Sequence, residues 1–144
     1  KSIKDIPGVW DKIKFNVAGK ELTLNNIERD ILRKEFKEPR IHFALVCASR
    51  GCPVLANEPF SGKDLDKQLD RAARKFINDK TKVRLDKGNK VFYISSIFKW
   101  FREDFGDVVQ FISRYIPEDD AKFIRDVKPK IKYLNYDWLL NEKL

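Results

Sequence analysis

Methionine is absent from all 144 residues, position 1 included. That sets the expectation that the chain starts inside a longer product, after processing or as an excised piece. Histidine occurs once and cysteine twice. So few thiols exclude a disulfide-dense miniprotein, and a single imidazole excludes paired zinc-finger ligands. Glycine and proline number six each, which excludes a collagen-like or low-complexity chain. The longest apolar run, Phe43 to Ala48, has six residues, far short of a bilayer span. No internal repeat and no Gly/Ser/Pro-rich linker divides the chain, so residues 1–144 read as one domain.

Aromatic residues are plentiful: eleven Phe, four Tyr and three Trp, within 42% hydrophobic residues. That is enough apolar material for a core built on rings, and it excludes intrinsic disorder. The net charge is +8. The excess is spread along the chain, and its densest patch runs from Arg71 to Lys90. There Arg71, Arg74, Lys75, Lys80, Lys82, Arg84, Lys87 and Lys90 face only Asp79 and Asp86. Such a patch suits an anionic partner or surface. The plainer reading is a solvated helix face running into a hairpin. No nucleic-acid motif accompanies the patch, so a nucleic-acid partner is not expected.

Periodicity predicts an α+β fold. Residues 13–17 and 20–24 alternate around Ala18-Gly19 as a β-hairpin. A helix follows over 26–36, capped by Asn25, with Ile27, Ile31, Leu32 and Phe36 inward. Residues 40–47 read as a buried strand. Ser61 is the expected cap of a helix to Asn78, burying Leu65, Leu69, Ala72, Ala73 and Phe76. Residues 82–85 and 90–94 form a second hairpin across Asp86-Lys87-Gly88-Asn89. Helices are expected over 96–105, stopped by Gly106, over 107–116, and from Pro117. Residues 130–133 make a last strand. The sum is a small mixed or antiparallel sheet of about six strands with hairpins, packed against four or five helices.

One segment carries chemistry: His42-Phe43-Ala44-Leu45-Val46-Cys47-Ala48-Ser49-Arg50-Gly51-Cys52-Pro53. Both thiols and the imidazole lie within eleven residues. In a cysteine nucleophile site, His42 would be the base and Cys47 or Cys52 the nucleophile. The Ser49-Arg50-Gly51 turn would offer backbone N–H groups to an oxyanion, and Arg50 would lower a thiol pKa. A regular strand would point His42 and Cys47 to opposite faces, leaving Cys52 freer to fold back. The same residues allow a His-x4-Cys-x4-Cys metal site needing a further ligand, a Cys47–Cys52 disulfide closing a small loop, or inert thiols beside a core histidine. Asp137, in Tyr136-Asp137-Trp138, is a candidate orienter for His42. Trp100 and Asp104 read as a core ring and a helix-end charge. Gly-rich phosphate loops and the Gly-x-Ser-x-Gly elbow are absent, so no cofactor and no committed metal are assigned.

This segment resembles the signature of the domain of unknown function 547 family. Leu24-Asn25-Asn26-Ile27-Glu28, Ile31-Leu32-Arg33, Ser95 to Phe101 with Asp104-Phe105, and Tyr133 to Asn141 resemble further blocks of it in order. The resemblance implies proteins that are often exported in bacteria, hence a secreted or periplasmic setting. Plant members carry the domain beside other modules, which implies that a disulfide is not the only use of the thiols. It also implies an apolar segment with an Asn-x-Tyr-Asn motif upstream of Lys1. His42 beside a thiol-bearing turn is loosely similar to papain-like and transglutaminase-like hydrolases, an analogy of site and not of fold. The leading expectation is a thiol-dependent hydrolase or acyl transferase at the cell envelope, using His42, Cys47 or Cys52, and Asp137. The alternative is a non-catalytic binding module with a structural Cys47–Cys52 loop and a basic face for an anionic partner.

Overall fold

A computed structural model describes residues 1–142. Two small sheets and several helices make an α+β fold. A first hairpin pairs β1 (Phe15–Val17) with β2 (Lys20–Leu22), antiparallel. The main sheet has three strands in the order β3 (Val83–Asp86), β4 (Val91–Ser95), β5 (Lys130–Leu134). The pair β3/β4 is the expected hairpin, with Asp86 accepting from the backbone and side chain of Asn89 to shape its turn. The β5 strand lies parallel to β4, Phe92 opposite Ile131 and Ser95 opposite Leu134. A parallel neighbour needs a long crossover. It is supplied by α2 (Ile97–Trp100), α3 (Arg102–Phe105), α4 (Val108–Ser113) and α5 (Glu118–Val127).

The core is a stack of rings between this sheet and α1 (Leu65–Ile77). Phe43, Phe76, Phe98, Phe105 and Phe111 contact one another with centroids 5.0–6.3 Å apart, the offset and tilted distances that aromatic quadrupoles favour. Ile77, Ile94 and Ile112 fill the spaces between them. The inward face of α1 is Leu69, Ala73 and Phe76, as its spacing predicts. Leu65 instead stands exposed, because the helix begins only there, with Asp64 rather than Ser61 in the cap position.

Three expectations are corrected. Residues 40–47 form no strand, so five strands stand among the described residues where about six were expected. Pro39 opens a 3-10 turn, Pro39–Phe43, and the Glu38 carboxylate accepts the Arg40 N–H at 3.0 Å. The Ile41 carbonyl then takes the N–H groups of Ala44 and Leu45, leaving nothing for a sheet ladder. Ile41, His42 and Phe43 are buried in succession because a tight turn pushed into the core is enclosed on every side.

The helix over 26–36 forms, but it is wound as a π-helix, Asn26–Phe36, and none of its residues is fully buried. Phe36, expected inward, is 65% exposed. Lys37, left-handed at φ 48°, ends the helix, and Glu38 is held extended by the following Pro39.

The single helix expected over 96–105 breaks at Phe101 into α2 and α3. The break turns Trp100 outward, 47% exposed, and Phe101 and Asp104 toward His42.

Candidate functional site

Two polar clusters are built from the segment that holds both thiols and the imidazole. The first surrounds His42. The residue is 4% exposed, and its ring stacks on Phe101 with centroids 3.9 Å apart. Its Nε2 lies 2.7 Å from Asp104 Oδ2. Arg33 grips the same carboxylate in bidentate fashion, Nε to Oδ2 at 2.6 Å and Nη2 to Oδ1 at 3.0 Å. Glu28 Oε1 lies 4.0 Å from the other ring nitrogen, Nδ1.

The π winding explains how one short helix delivers both Glu28 and Arg33. In an α-helix, residues five apart point about 140° away from each other. The i→i+5 winding brings them close to one line, so both face the histidine.

Burial holds the His42 imidazole below its ordinary pKa, outweighing the pull of Asp104 toward the charged form. Burial alone would raise the Asp104 carboxyl. The hydrogen bonds of Arg33 and His42 win, and its pKa is lowered. Glu28 is raised, chiefly by burial, with Arg33 opposing and the negative charges of Cys47 and Asp104 adding. The ring is therefore neutral and the Asp104 carboxylate ionised. An ionised carboxylate can only accept, so Nε2 carries the proton and Nδ1 the lone pair.

The second cluster surrounds the thiols. Cys47 Sγ lies 2.7 Å from Cys52 Sγ, 3.1 Å from Ser49 Oγ and 3.3 Å from the Tyr136 hydroxyl. The Ser49 and Tyr136 hydroxyls are 3.2 Å apart. The hydrogen bond from Cys52 lowers the Cys47 thiol most. Burial opposes it, and Ser49 and Tyr136 add to the lowering. Cys52 moves the other way, its proton held by the bond to Cys47 and by burial. Cys47 is half-buried and Cys52 is 7% exposed.

The turn between the thiols is fastened to the end of the chain. Ser49 bridges Leu140, the Arg50 N–H donates to Leu139 O, and the Gly51 N–H donates to Asp137 O at 2.8 Å. Asn141 N–H reaches Ala48 O, where the left-handed Ala48, φ 53°, reverses the chain. These bonds correct one expectation. The N–H groups of Arg50 and Gly51 are committed to the closing segment and offer nothing to an oxyanion. The depression of the Cys47 pKa comes from Cys52, Ser49 and Tyr136 rather than from Arg50.

The carboxylate on His42 is Asp104. Asp137 Oδ1 accepts the Leu139 N–H at 3.0 Å, and its main chain positions Gly51. His42 is brought to Asp104 and Glu28, and Cys47 to Cys52, Ser49 and Tyr136. Among the described residues no group of three or more His, Cys, Asp or Glu side chains is arranged to hold a metal ion.

Asp104, Glu28, Arg33 and Tyr136 went unassigned from the sequence as site residues, yet each lies in one of the blocks that carry the family resemblance. Polar residues embedded in those apolar blocks were the available signal.

A family model matches residues 3–77. The chain belongs to the DUF547 family, described as proteins of unknown function. No curated protein and no solved structure matches it. The DUF547 match takes in Glu28, Arg33, His42, Cys47 and Cys52 and ends at Ile77, so Asp104 and Tyr136 lie beyond it. No helix among the described residues is long and apolar enough to cross a membrane. The basic patch is partly paired: Arg71 with Glu58, Arg74 with Asp70 and Lys87 with Asp120.

Proposed function

We propose that this DUF547 chain is a thiol-dependent acyl-transfer enzyme, a hydrolase where water is the acceptor, acting in an exported setting, with Cys47 as nucleophile. The observation that carries the reading is the ring of hydrogen-bonding groups around Cys47 Sγ. It favours a resident thiolate at neutral pH, the form that attacks carbonyl carbon.

The thiolate adds to the acyl carbonyl, and the leaving group departs with the electron pair of its bond, giving a thioester on Cys47. The hydroxyls of Ser49 and Tyr136, freed as the sulfur loses its charge, are the donors at hand for the carbonyl oxygen as it becomes an oxyanion. Glu28, whose carboxyl burial raises above its ordinary value, is the acid placed to supply the leaving group's proton. His42 Nδ1, facing Glu28 and oriented through Nε2 by Asp104, takes the proton of the incoming water or alcohol.

The test is acylation by p-nitrophenyl acetate, followed by intact mass and peptide mapping. One acetyl group is expected on Cys47, none in Cys47→Ala, and acyl-enzyme turnover slowed by about 10²-fold in His42→Ala. If both thiols acylate slowly and equally in native and His42→Ala protein, the reading is lost. Salt-sensitive binding to an anionic polymer in such a protein would favour a binding module instead.

A further inference from the structure

The acyl-transfer reading uses one thiol, yet the fold brings two together. Their sulfurs face each other 2.7 Å apart. The Cys52 N–H donates to Ser49 O at 3.1 Å, the Cys47 N–H donates to Cys52 Sγ at 2.8 Å, and the turn is tied to Asp137, Leu139 and Leu140. The turn thus keeps the two thiols within reach of each other. The two thiols are also unequal in access: Cys47 is half-buried and Cys52 buried. A structural staple needs no such difference. A couple in which one sulfur meets an outside disulfide and the other resolves the product does.

We propose that Cys47 and Cys52 are a dithiol–disulfide exchange couple acting on a small, accessible disulfide, with Cys47 as attacking and Cys52 as resolving thiol. The Cys47 thiolate attacks one sulfur of the disulfide R–S–S–R. A Cys47–S–S–R bond forms, the substrate S–S bond breaks, and RS⁻ leaves. Cys52 gives its proton to the departing RS⁻, and its sulfur attacks Cys47 Sγ. The Cys47–Cys52 bond forms and a second RS⁻ leaves, to be protonated by solvent. The disulfide has been reduced to two thiols and the protein dithiol oxidised by two electrons. This inference rests on Cys47 as nucleophile and not on acyl transfer itself.

The experiment treats the fully reduced chain with oxidised glutathione, quenches with acid, and reads intact mass and released thiol. Native protein should carry no lasting adduct, lose both its thiols and release two glutathione thiols per chain. Cys52→Ser and Cys52→Ala should each stop at one glutathionyl group on Cys47, and Cys47→Ser should react at least about tenfold more slowly. A native protein that retains a glutathionyl group while Cys52 still alkylates overturns the couple. So does Cys47→Ser reacting as fast as native.

Acetylation of Cys47 in the reduced native protein is measured separately. Exchange without acylation leaves the couple standing and removes acyl transfer. Acylation without resolution by Cys52 does the reverse.

Discussion

Cys47 owes its character to neighbours that are themselves neutral. Hydrogen bonds with Cys52, Ser49 and Tyr136 hold its pKa down to about 5, without help from a cationic side chain. Iodoacetamide alkylation of Cys47 should therefore stay near its plateau through neutral pH and fall only on approach to that value. Replacing Tyr136 by Phe removes one donor, so its profile should move to higher pH; an unmoved profile would show that the hydroxyl does not act on the sulfur.

The two aspartates separate in the same way. Asp104→Ala leaves the buried His42 Nε2 and the Arg33 guanidinium without a partner. A loss of about 2–3 kcal/mol in urea unfolding is expected. Asp137→Ala removes one exposed bond to the Leu139 N–H and should cost about 0.5–1 kcal/mol.

At this scale the thiols and the imidazole are legible in the sequence and their partners are not. Asp104 is 62 residues from His42 and Tyr136 is 89 from Cys47. Spacing along the chain carries no information at such range. Asp137 drew attention as the acid in a Tyr-Asp-Trp cluster, whereas its neighbour Tyr136 makes the contact.

Among the elements, those set by local rules were legible. The hairpin over Val83–Ser95 follows from alternation and the Asp-Lys-Gly-Asn turn. The face of α1 follows from its period, and the Gly106 stop, at φ 65°, from the conformational freedom of glycine. Residues 40–47 were not legible, since an apolar run of that length suits a buried strand and a buried tight turn alike. Pro39 was the deciding residue, fixing the first φ of the turn and lacking the N–H that a ladder needs. The π winding over 26–36 had no signal in apolar spacing, because α and π windings share most of a short stripe.

One element can be broken at a single atom. A Cβ on Gly51 would lie 2.9 Å from Asp137 O and from two ring carbons of Tyr136. The carbonyl is already bonded to the Gly51 N–H, so the turn itself has to shift. Gly51→Ala should cost about 1–3 kcal/mol and raise the alkylation pKa of Cys47 as Tyr136 is pushed away. A destabilised variant with an unchanged Cys47 profile would refute that link between turn and thiol.

For the whole molecule, the buried imidazole couples stability to pH. Its folded pKa lies below the unfolded value of 6.5, so below that value the unfolded chain binds a proton that the fold refuses. The contribution is present in full above 6.5 and is lost as pH falls through the depressed folded value. Asp104, also lowered, adds a second loss below its ordinary 3.8. Urea midpoints should already fall from about pH 9 downward, because the Cys47 thiol is held below its ordinary 9.0 in the fold, and His42→Asn should flatten the further decline that begins at 6.5. A native midpoint unchanged across that window would contradict a neutral buried ring.

The parallel pairing of β4 with β5 and the fastening of Ser49 to Leu140 have a consequence in time. Synthesis runs from the N-terminus, so Cys47 leaves the ribosome 89 residues ahead of Tyr136. Until the last strand has crossed over and docked, the thiol lacks the phenol, and its turn lacks the bonds that shape it. A nascent or truncated chain therefore carries an ordinary, sluggish cysteine. Reactivity switches on only once Tyr136 has emerged and docked, so the rate of Cys47 alkylation doubles as a clock for completion of this fold.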